Sequence, residues 1–247
     1  MHGCNGTMGR VITNIVKEDE HAQIVAGIDC YQDVPNDYPV FKTLEDCNIE
    51  ADVVIDFSVT TAVDGLLNYC AEHSLPVVLC TTGLSEEQLK KVEQASSKTA
   101  VLKAANMSLG VNMLLKLLQN AAKVLVPAGF DIEVVDRHHK LKVDAPSGTA
   151  IAMADSMNQA LNHEYTYNFD RSKELKMREQ KEIGVVAVRG GTIVGEHDVI
   201  FAGTDEVVEF KHTAYSKAIF AKGAIEASKF LAGKPAGRYD MSDVIEF

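Results

Sequence analysis

The chain has no tryptophan, only six prolines, and no stretch near the roughly 20 apolar residues that a membrane span needs. Its first residues lack a basic segment followed by an apolar one, so no secretory leader is expected. Cys4, Cys30, Cys47, Cys70 and Cys80 make an odd count with no CxxC pair, which fits neither a disulfide framework nor a zinc knuckle. Basic residues are in deficit: 24 Lys and Arg stand against 35 Asp and Glu, for a formal charge of −11. That balance argues against a general nucleic-acid binder and against a polybasic membrane reader. Internal repeats and low-complexity linkers are also missing. What is left is a reduced, cytosolic globular protein whose 247 residues suit one large α/β domain or two modest ones.

Through the first hundred residues, short apolar runs alternate with amphipathic stretches. Residues 23–29, 52–58, 76–81 and 100–104 read as strands, and 8–17, 61–73 and 85–97 as helices. Ser85 before Glu86 and Glu87 is a good helix start, since a side-chain cap and first-turn acids complement exposed amide groups. Buried strands separated by helices of this length predict a Rossmann-like, doubly wound parallel sheet. After residue 108 the pattern changes. Helices are expected over 110–126 and 147–161 and strands over 130–136, 183–189, 198–202 and 206–213, the last three with antiparallel spacing. Residues 170–182 are mostly charged and read as a solvated loop or exposed helix face rather than a binding tail. A last helix spans 218–231. The expected organisation is a dinucleotide-binding domain of residues 1–108 plus 219–247. A second α+β domain on a mixed sheet, residues 109–218, would be inserted before the final helix.

Gly3, Gly6 and Gly9 precede the first helix. Such glycines allow a tight turn and let the backbone approach a pyrophosphate seated on the helix's positive end. A flexible Gly-rich start would look the same, but Asp29 ends the next strand where a ribose-binding acid is expected. A carboxylate there accepts both ribose hydroxyls of NADH and repels a 2′-phosphate. Cys30 follows it, so no adjacent arginine is on hand for that phosphate, and the expected preference is NADH over NADPH. Only Met1 and His2 precede Gly3, so the usually central first strand is almost absent. The reading made of this is a start lying upstream of Met1, because a sheet without its middle strand would leave backbone groups unpaired.

Residues 137–142, RHHKLK, are a cationic turn in an acidic chain, followed by DAPSGT over 144–149. Pro146 fits a helix's first turn, and Ser147, Gly148 and Thr149 can present amides and hydroxyls to an anion. Cations facing such a helix start would make a dicarboxylate clamp, with His138 able to move a proton near neutral pH and Lys142 able to hold a carboxylate or give up a proton. A basic surface loop before a well-capped helix is the bland alternative.

Residues 133–150, EVVDRHHKLKVDAPSGTA, resemble the signature of the dihydrodipicolinate (4-hydroxy-tetrahydrodipicolinate) reductase family of diaminopimelate and lysine biosynthesis. The likeness extends over the whole chain, through GCNGTMGR, DFSVTTAV, CTTGL, AANMSLGVN, VRGGTIVGEH and YDMSDVI. It implies hydride transfer from NAD(P)H to a cyclic dicarboxylate with loss of water, His138 and Lys142 being catalytic. It further implies that His139, Ser147, Gly148 and Thr149 hold the substrate. Gly3, Cys4, Asn5, Gly6, Thr7 and Met8 would bind the pyrophosphate and Asp29 the ribose. Cys80, Thr81, Thr82, Ala104, Ala105, Asn106 and Met107 would line the nicotinamide side. A cytoplasmic homotetramer is expected. In the family an arginine at the position of Cys30 is associated with use of NADPH, and Cys80 and Met107 stand where Gly is common and Phe frequent.

Smaller signals are read conservatively. Cys80 could suggest an acylated thiol, but a small buried cysteine in a cofactor loop accounts for it. No histidine has metal-ligand spacing, so no metal is expected; His197 in Gly195-Glu-His-Asp sits in a turn-like segment, either structural or facing substrate. Met107, Met113, Met153 and Met157 read as core packing. Two rivals stay in view: a sugar- or inositol-type dehydrogenase with a similar first half, and a catalytically silent NAD-binding module.

Overall fold

A computed structural model describes residues 1–173 and 175–245. The chain forms two compact units, Met1–Leu109 together with the chain from Ala218 onward, and Gly110–Lys217. In chain order the first unit contributes α1 (Thr7–Val16), β1 (Gly27–Ile28), β2 (Val40–Phe41), β3 (Val54–Asp56), α2 (Thr60–Glu72), β4 (Val77–Leu79), α3 (Glu86–Ser96) and β5 (Ala100–Leu102). Then follow α4 (Leu109–Leu125), β6 (Asp131–His138), α5 (Gly148–Ala160), β7 (Thr166–Asn168), β8 (Glu182–Arg189), β9 (Gly195–Ala202) and β10 (Val207–Ala214). The chain closes with α6 (Ala218–Leu231), β11 (Gly237–Tyr239) and α7 (Met241–Val244). The short strands β2, β7 and β11 and the turn of helix α7 are additions to the sequence reading.

In the first unit, β11, β5, β4 and β3 form a parallel run, and β1 pairs in parallel with β2. His2 joins the two groups, bridging in parallel to both Ile28 and Asp56. Its N–H donates to Ile55 O at 2.9 Å and its carbonyl accepts from Phe57 N–H at 3.1 Å, while Gly3 N–H donates to Ile28 O at 2.8 Å. The middle of the sheet is therefore held at its carboxyl end by the first three residues. The strands expected over 23–29 and 52–58 shorten to Gly27–Ile28 and Val54–Asp56, the lengths over which neighbouring backbone pairs with them. Between their amino halves lies a cavity of about 250 Å³, lined by Ile24, Ala26, Val53 and Val54 from the two strands and by Ile12 and Ile225 from α1 and α6.

Period-2 alternation divides the strand side chains between two helical layers. Val77, Leu79 and Val101 pack with Val63, Leu66, Leu67 and Val92 of α2 and α3. Val78, Ala100 and Leu102 pack with Ala224, Ala227 and Leu231 of α6. Ser85 caps α3 as expected, completing a capping box with Gln88.

The second unit is a five-stranded mixed sheet in the order β10-β9-β6-β8-β7. The antiparallel arrangement expected for its last three strands holds for β9 with β10, but β6 separates β8 from β9, and β8 runs parallel to β6. The helical crossover through α5 produces that direction, as a crossover returning to the same sheet does. On one face Ile132, Val134, Ile183, Val185, Val199 and Phe201 pack beneath α4 and α5, where Met153 and Met157 are fully buried. Met113 departs from the core reading: 41% exposed, it lies on the outer side of α4. The charged segment is stapled down rather than free. Arg178 donates to Asp131 and Glu133 at 2.7 and 3.1 Å, and Arg171 pairs with Glu133 and Glu182. Glu174 of that segment lies outside the described residues. Among the described residues no helix is long and apolar enough to cross a membrane.

Candidate active site

The glycine loop has the geometry its spacing demands. Gly3 has φ +75°, and a Cβ on it would lie 2.7 Å from Phe57 O. A Cβ on Gly9 would stand 2.3 Å from Gly3 O, so only glycine lets α1 seat against the turn. Around Gly6 the space is open except for Gly3 O at 3.3 Å, and this residue is the N-cap of α1 with no side chain over the helix's first amides. Thr7 and Met8 begin that helix. Cys4 is fully buried, with its Sγ where a Cβ of Gly27 would fall. Asp29 follows β1, half-buried; Oδ2 accepts from Asn5 N–H and Oδ1 from Tyr31 N–H, both at 2.9 Å. Each carboxylate oxygen keeps a lone pair for a further donor.

Asp56, fully buried at the end of β3, accepts from Thr81 Oγ1 at 2.6 Å and stands 2.8 Å from His2 Nδ1. The Thr81 hydroxyl therefore points inward. Burial pushes the Cys80 thiol well above its usual range, with Asp56 adding to the effect, so a thiolate nucleophile is disfavoured there. Thr82 and Ala105 are exposed, and Ala104 and Asn106 half-buried. Asn106 Oδ1 accepts from Ser108 N–H at 2.8 Å. Met107 is buried, its carbonyl against Gly223 of α6.

In the second unit the cationic turn resolves into strand and loop. Arg137 and His138 are the last residues of β6 and point to opposite faces. Arg137 pairs with Asp198 and Glu196, which removes it from the expected clamp. His138 lies on the face that α5 covers, together with Asp136 two residues earlier. In the loop, Lys142 pairs with Asp144 Oδ1 at 2.8 Å and is half-buried, as is His139. Ser147 caps α5, accepting from Ala150 N–H at 3.2 Å. Pro146 stands before that cap, after a cis Ala145–Pro146 bond, and not in the helix's first turn as expected. Gly148 is exposed and Thr149 half-buried.

Asp136 joins these groups. Its Oδ1 accepts from Ser147 Oγ at 2.7 Å, and its Oδ2 accepts from Ser147 N–H at 3.0 Å and Arg189 Nη2 at 2.9 Å. His138 Nδ1 is 2.9 Å and His197 Nε2 3.3 Å from the same Oδ1. Burial would raise this carboxyl, but contacts with His197, Ser147 and Arg189 hold it below the usual carboxylate range. For His138 burial lowers proton affinity, Asp136 opposes that, and His197, Lys142 and Arg189 add to the lowering. Asp136, His138 and His197 lie close enough to suggest a metal site. Yet three protein donors and two imidazoles already surround the carboxylate, and the Arg189 cation would repel a metal ion.

Sequence reading left His197 open and overlooked Asp136 and Arg189. His197 lies in β9, not in a turn, and is 3% exposed. The signal for Asp136 was in the chain: alternation along β6 puts it on the His138 face.

Comparison with known proteins covers the whole chain. Residues 1–107 match the family profile described as "Dihydrodipicolinate reductase, N-terminus", and residues 110–245 that described as "Dihydrodipicolinate reductase, C-terminus". The 4-hydroxy-tetrahydrodipicolinate reductase of Caldanaerobacter subterraneus subsp. tengcongensis is 50% identical over 100% of this chain and 97% of its own. That of Clostridium novyi is 46% identical with the same coverage. A solved dipicolinate-bound dihydrodipicolinate reductase from Paenisporosarcina sp. TG-14 superposes with a TM-score of 0.81 at 23% identity, over 99% of this chain and 97% of that one. A myo-inositol dehydrogenase from Corynebacterium glutamicum, the fold behind one rival reading, reaches only 0.55 at 13% identity over 96% and 88%. With both halves matched and the fold shared, the chain belongs to the dihydrodipicolinate reductase family.

Proposed function

We propose that the protein reduces 4-hydroxy-tetrahydrodipicolinate to tetrahydrodipicolinate with loss of water, at the expense of NAD(P)H, in diaminopimelate and lysine biosynthesis. The observation carrying this reading is the His138–Asp136–Ser147 cluster, adjoining Lys142, in a chain matched to the family throughout.

The first unit fits a dinucleotide. Gly3 through Met8 would face the pyrophosphate, the open side of Gly6 and the uncapped α1 amides accepting its charge. Asp29 would take the ribose hydroxyls, and the absence of a cation at Cys30 favours NADH. Cys80, Thr81, Thr82 and residues 104–107 would frame the nicotinamide. When bound, the cofactor supplies a hydride.

The second unit would hold the dicarboxylate. Gly148 and Thr149 at the start of α5, with His139 and Lys142, supply amides and positive charge, and positioning of this kind lowers the barrier. Negative charge developing on the substrate requires a proton, which His138 gives and Lys142 supports. Ser147 holds the helix start in place. The sheet face opposite α4 and α5 exposes Val186 and Val188. It would join copies into a homotetramer in the cytoplasm.

The test is steady-state reduction of freshly generated 4-hydroxy-tetrahydrodipicolinate with NADH and NADPH in parallel. Turnover favouring NADH supports both the reaction and the cofactor reading. Turnover favouring NADPH keeps the reaction and overturns the Asp29–Cys30 argument. No turnover, with cofactor still bound, replaces the enzyme with a binding module.

A further inference from the structure

The second unit carries a row of titratable side chains, buried at Asp136 and His197 and half-buried at His212, of which the proposed reaction uses only the neighbouring His138 directly. Asp136 on β6 is the register partner of His197 on β9, which is in turn the partner of His212 on β10. The rings of His138 and His197 are 5.2 Å apart at 70°, and those of His197 and His212 5.7 Å apart at 32°. The neighbouring rungs of the same face are apolar, Val134 against Val199 and Ile132 against Phe201. A charged rung in a face otherwise built for packing needs a reason, since burying a carboxylate and imidazoles is costly unless they are paired.

Proton accounting fixes the direction of each contact. The carboxylate, held ionised by its donors, can only accept. The single hydroxyl proton of Ser147 goes to Asp136 Oδ1 at 2.7 Å. The 3.1 Å contact between Ser147 Oγ and His197 Nε2 must then be donated by the imidazole, so His197 carries its proton on Nε2. His138 Nδ1 stands 2.9 Å from the same Oδ1, yet off the line of a formed hydrogen bond. A bare nitrogen lone pair facing a carboxylate oxygen at that distance would be repelled, whereas an N–H is attracted. Nδ1 of His138 is therefore the protonated nitrogen, and Nε2, which faces Gly195, is the one available for exchange.

We propose that Asp136 is a positioning residue that fixes His138 as its Nδ1–H tautomer and leaves Nε2 for proton transfer, with Ser147, Arg189 and His197 holding the carboxylate in place. This rests on the reading of His138 as the proton donor. Every charged or titratable group facing His138 is part of the arrangement: Asp136 on its own strand, Arg189 from β8, His197 from β9 with His212 behind it, and Lys142 from the loop. Asp136 alone among them favours the imidazolium; the cations oppose it. Replacing Asp136 by Asn removes that support, so the imidazolium loses its proton at lower pH and the neutral ring is free to take either tautomer.

The experiment is a pH profile of kcat/KM for D136N and H138Q, alongside heteronuclear NMR of the His138 ring in the intact wild-type protein. The expected D136N result is a fall in kcat of about a hundredfold or more, KM for the cofactor unchanged, and an alkaline limb displaced to lower pH. A loss of packing alone would lower the rate without moving the limb. The wild-type spectrum should show neutral His138 protonated on Nδ1. An unmoved limb in D136N, or Nε2 protonation in the wild type, overturns the proposal. Should D136N not fold, the wild-type spectrum alone decides it. Full activity in H138Q would instead overturn His138 as proton donor, leaving the spectrum to judge the Asp136 contact independently.

Discussion

The carboxylate of Asp29 accepts the backbone N–H of Asn5 at 2.9 Å, so the end of β1 is fastened to the glycine loop. A nucleotide seated on that loop would meet a fixed negative charge at its ribose. Cys30→Arg would place a cation beside it, able to pair with a 2′-phosphate. The expected outcome is a rise of about tenfold in the NADPH-to-NADH ratio of kcat/KM, equivalent to about 1.4 kcal/mol. Parallel assays with both cofactors check it; an unchanged ratio would show that the Asp29–Cys30 pair does not control the preference.

Gly9→Ala tests the loop's packing. Its Cβ would lie 2.3 Å from Gly3 O and 2.5 Å from Cys4 O, both backbone atoms with little room to retreat. A loss of about 2–3 kcal/mol in unfolding free energy is expected, as for overpacked sites. Gly6→Ala meets only Gly3 O at 3.3 Å. It should leave stability nearly unchanged while raising the cofactor KM, because the new methyl stands at the open helix start. Denaturant melts and cofactor titrations of the two variants separate these effects.

Lys142 is half-buried in an ion pair with Asp144 and follows His139 in the same turn. On the proposed role of substrate holder near His138, replacing Lys142 by Ala should raise the dicarboxylate KM and lower kcat, reducing kcat/KM by about a hundredfold. Cofactor affinity and melting temperature should stay near wild type, since its partner Asp144 is exposed to solvent and a pair open on one side contributes little to stability. Unchanged kcat/KM would remove Lys142 from the site.

What the sequence disclosed follows from which forces are local. Helix boundaries such as Ser85 with its capping box, and the turn requiring Gly3 and Gly9, are set within a few residues and were legible. Strand pairing is not local. Nothing near residues 183–202 says that β6 intervenes between β8 and β9, so the antiparallel reading was half right. Arg137 looked like part of a cationic cluster because composition ignores the alternation that turns it towards Asp198. For Asp136, alternation along β6 discloses only that it shares the His138 face; its place against His197 is set by strand register, which is not local.

In a protein expressed from Met1, the amino group gives a pH-dependent test of whether the gap between β1 and β3 accepts a strand. It donates to Ala26 O at 2.8 Å beside the cavity between the β1 and β3 edges, and burial lowers its pKa from 8.0 to about 6. The unfolded chain thus binds more protons than the folded one between pH 6 and 8, and stability must rise with pH across that window. The contribution is complete above pH 8 and is lost as pH falls to 6, a span of roughly 2–3 kcal/mol. Adding four or five apolar, β-branched residues ahead of Met1 would move the amine away and supply a strand able to pair with both edges. Such a variant should melt at higher temperature and lose the slope between pH 6 and 8. If the extended protein keeps the slope, or melts no higher, the cavity does not accept a strand and the amine is not the titrating group.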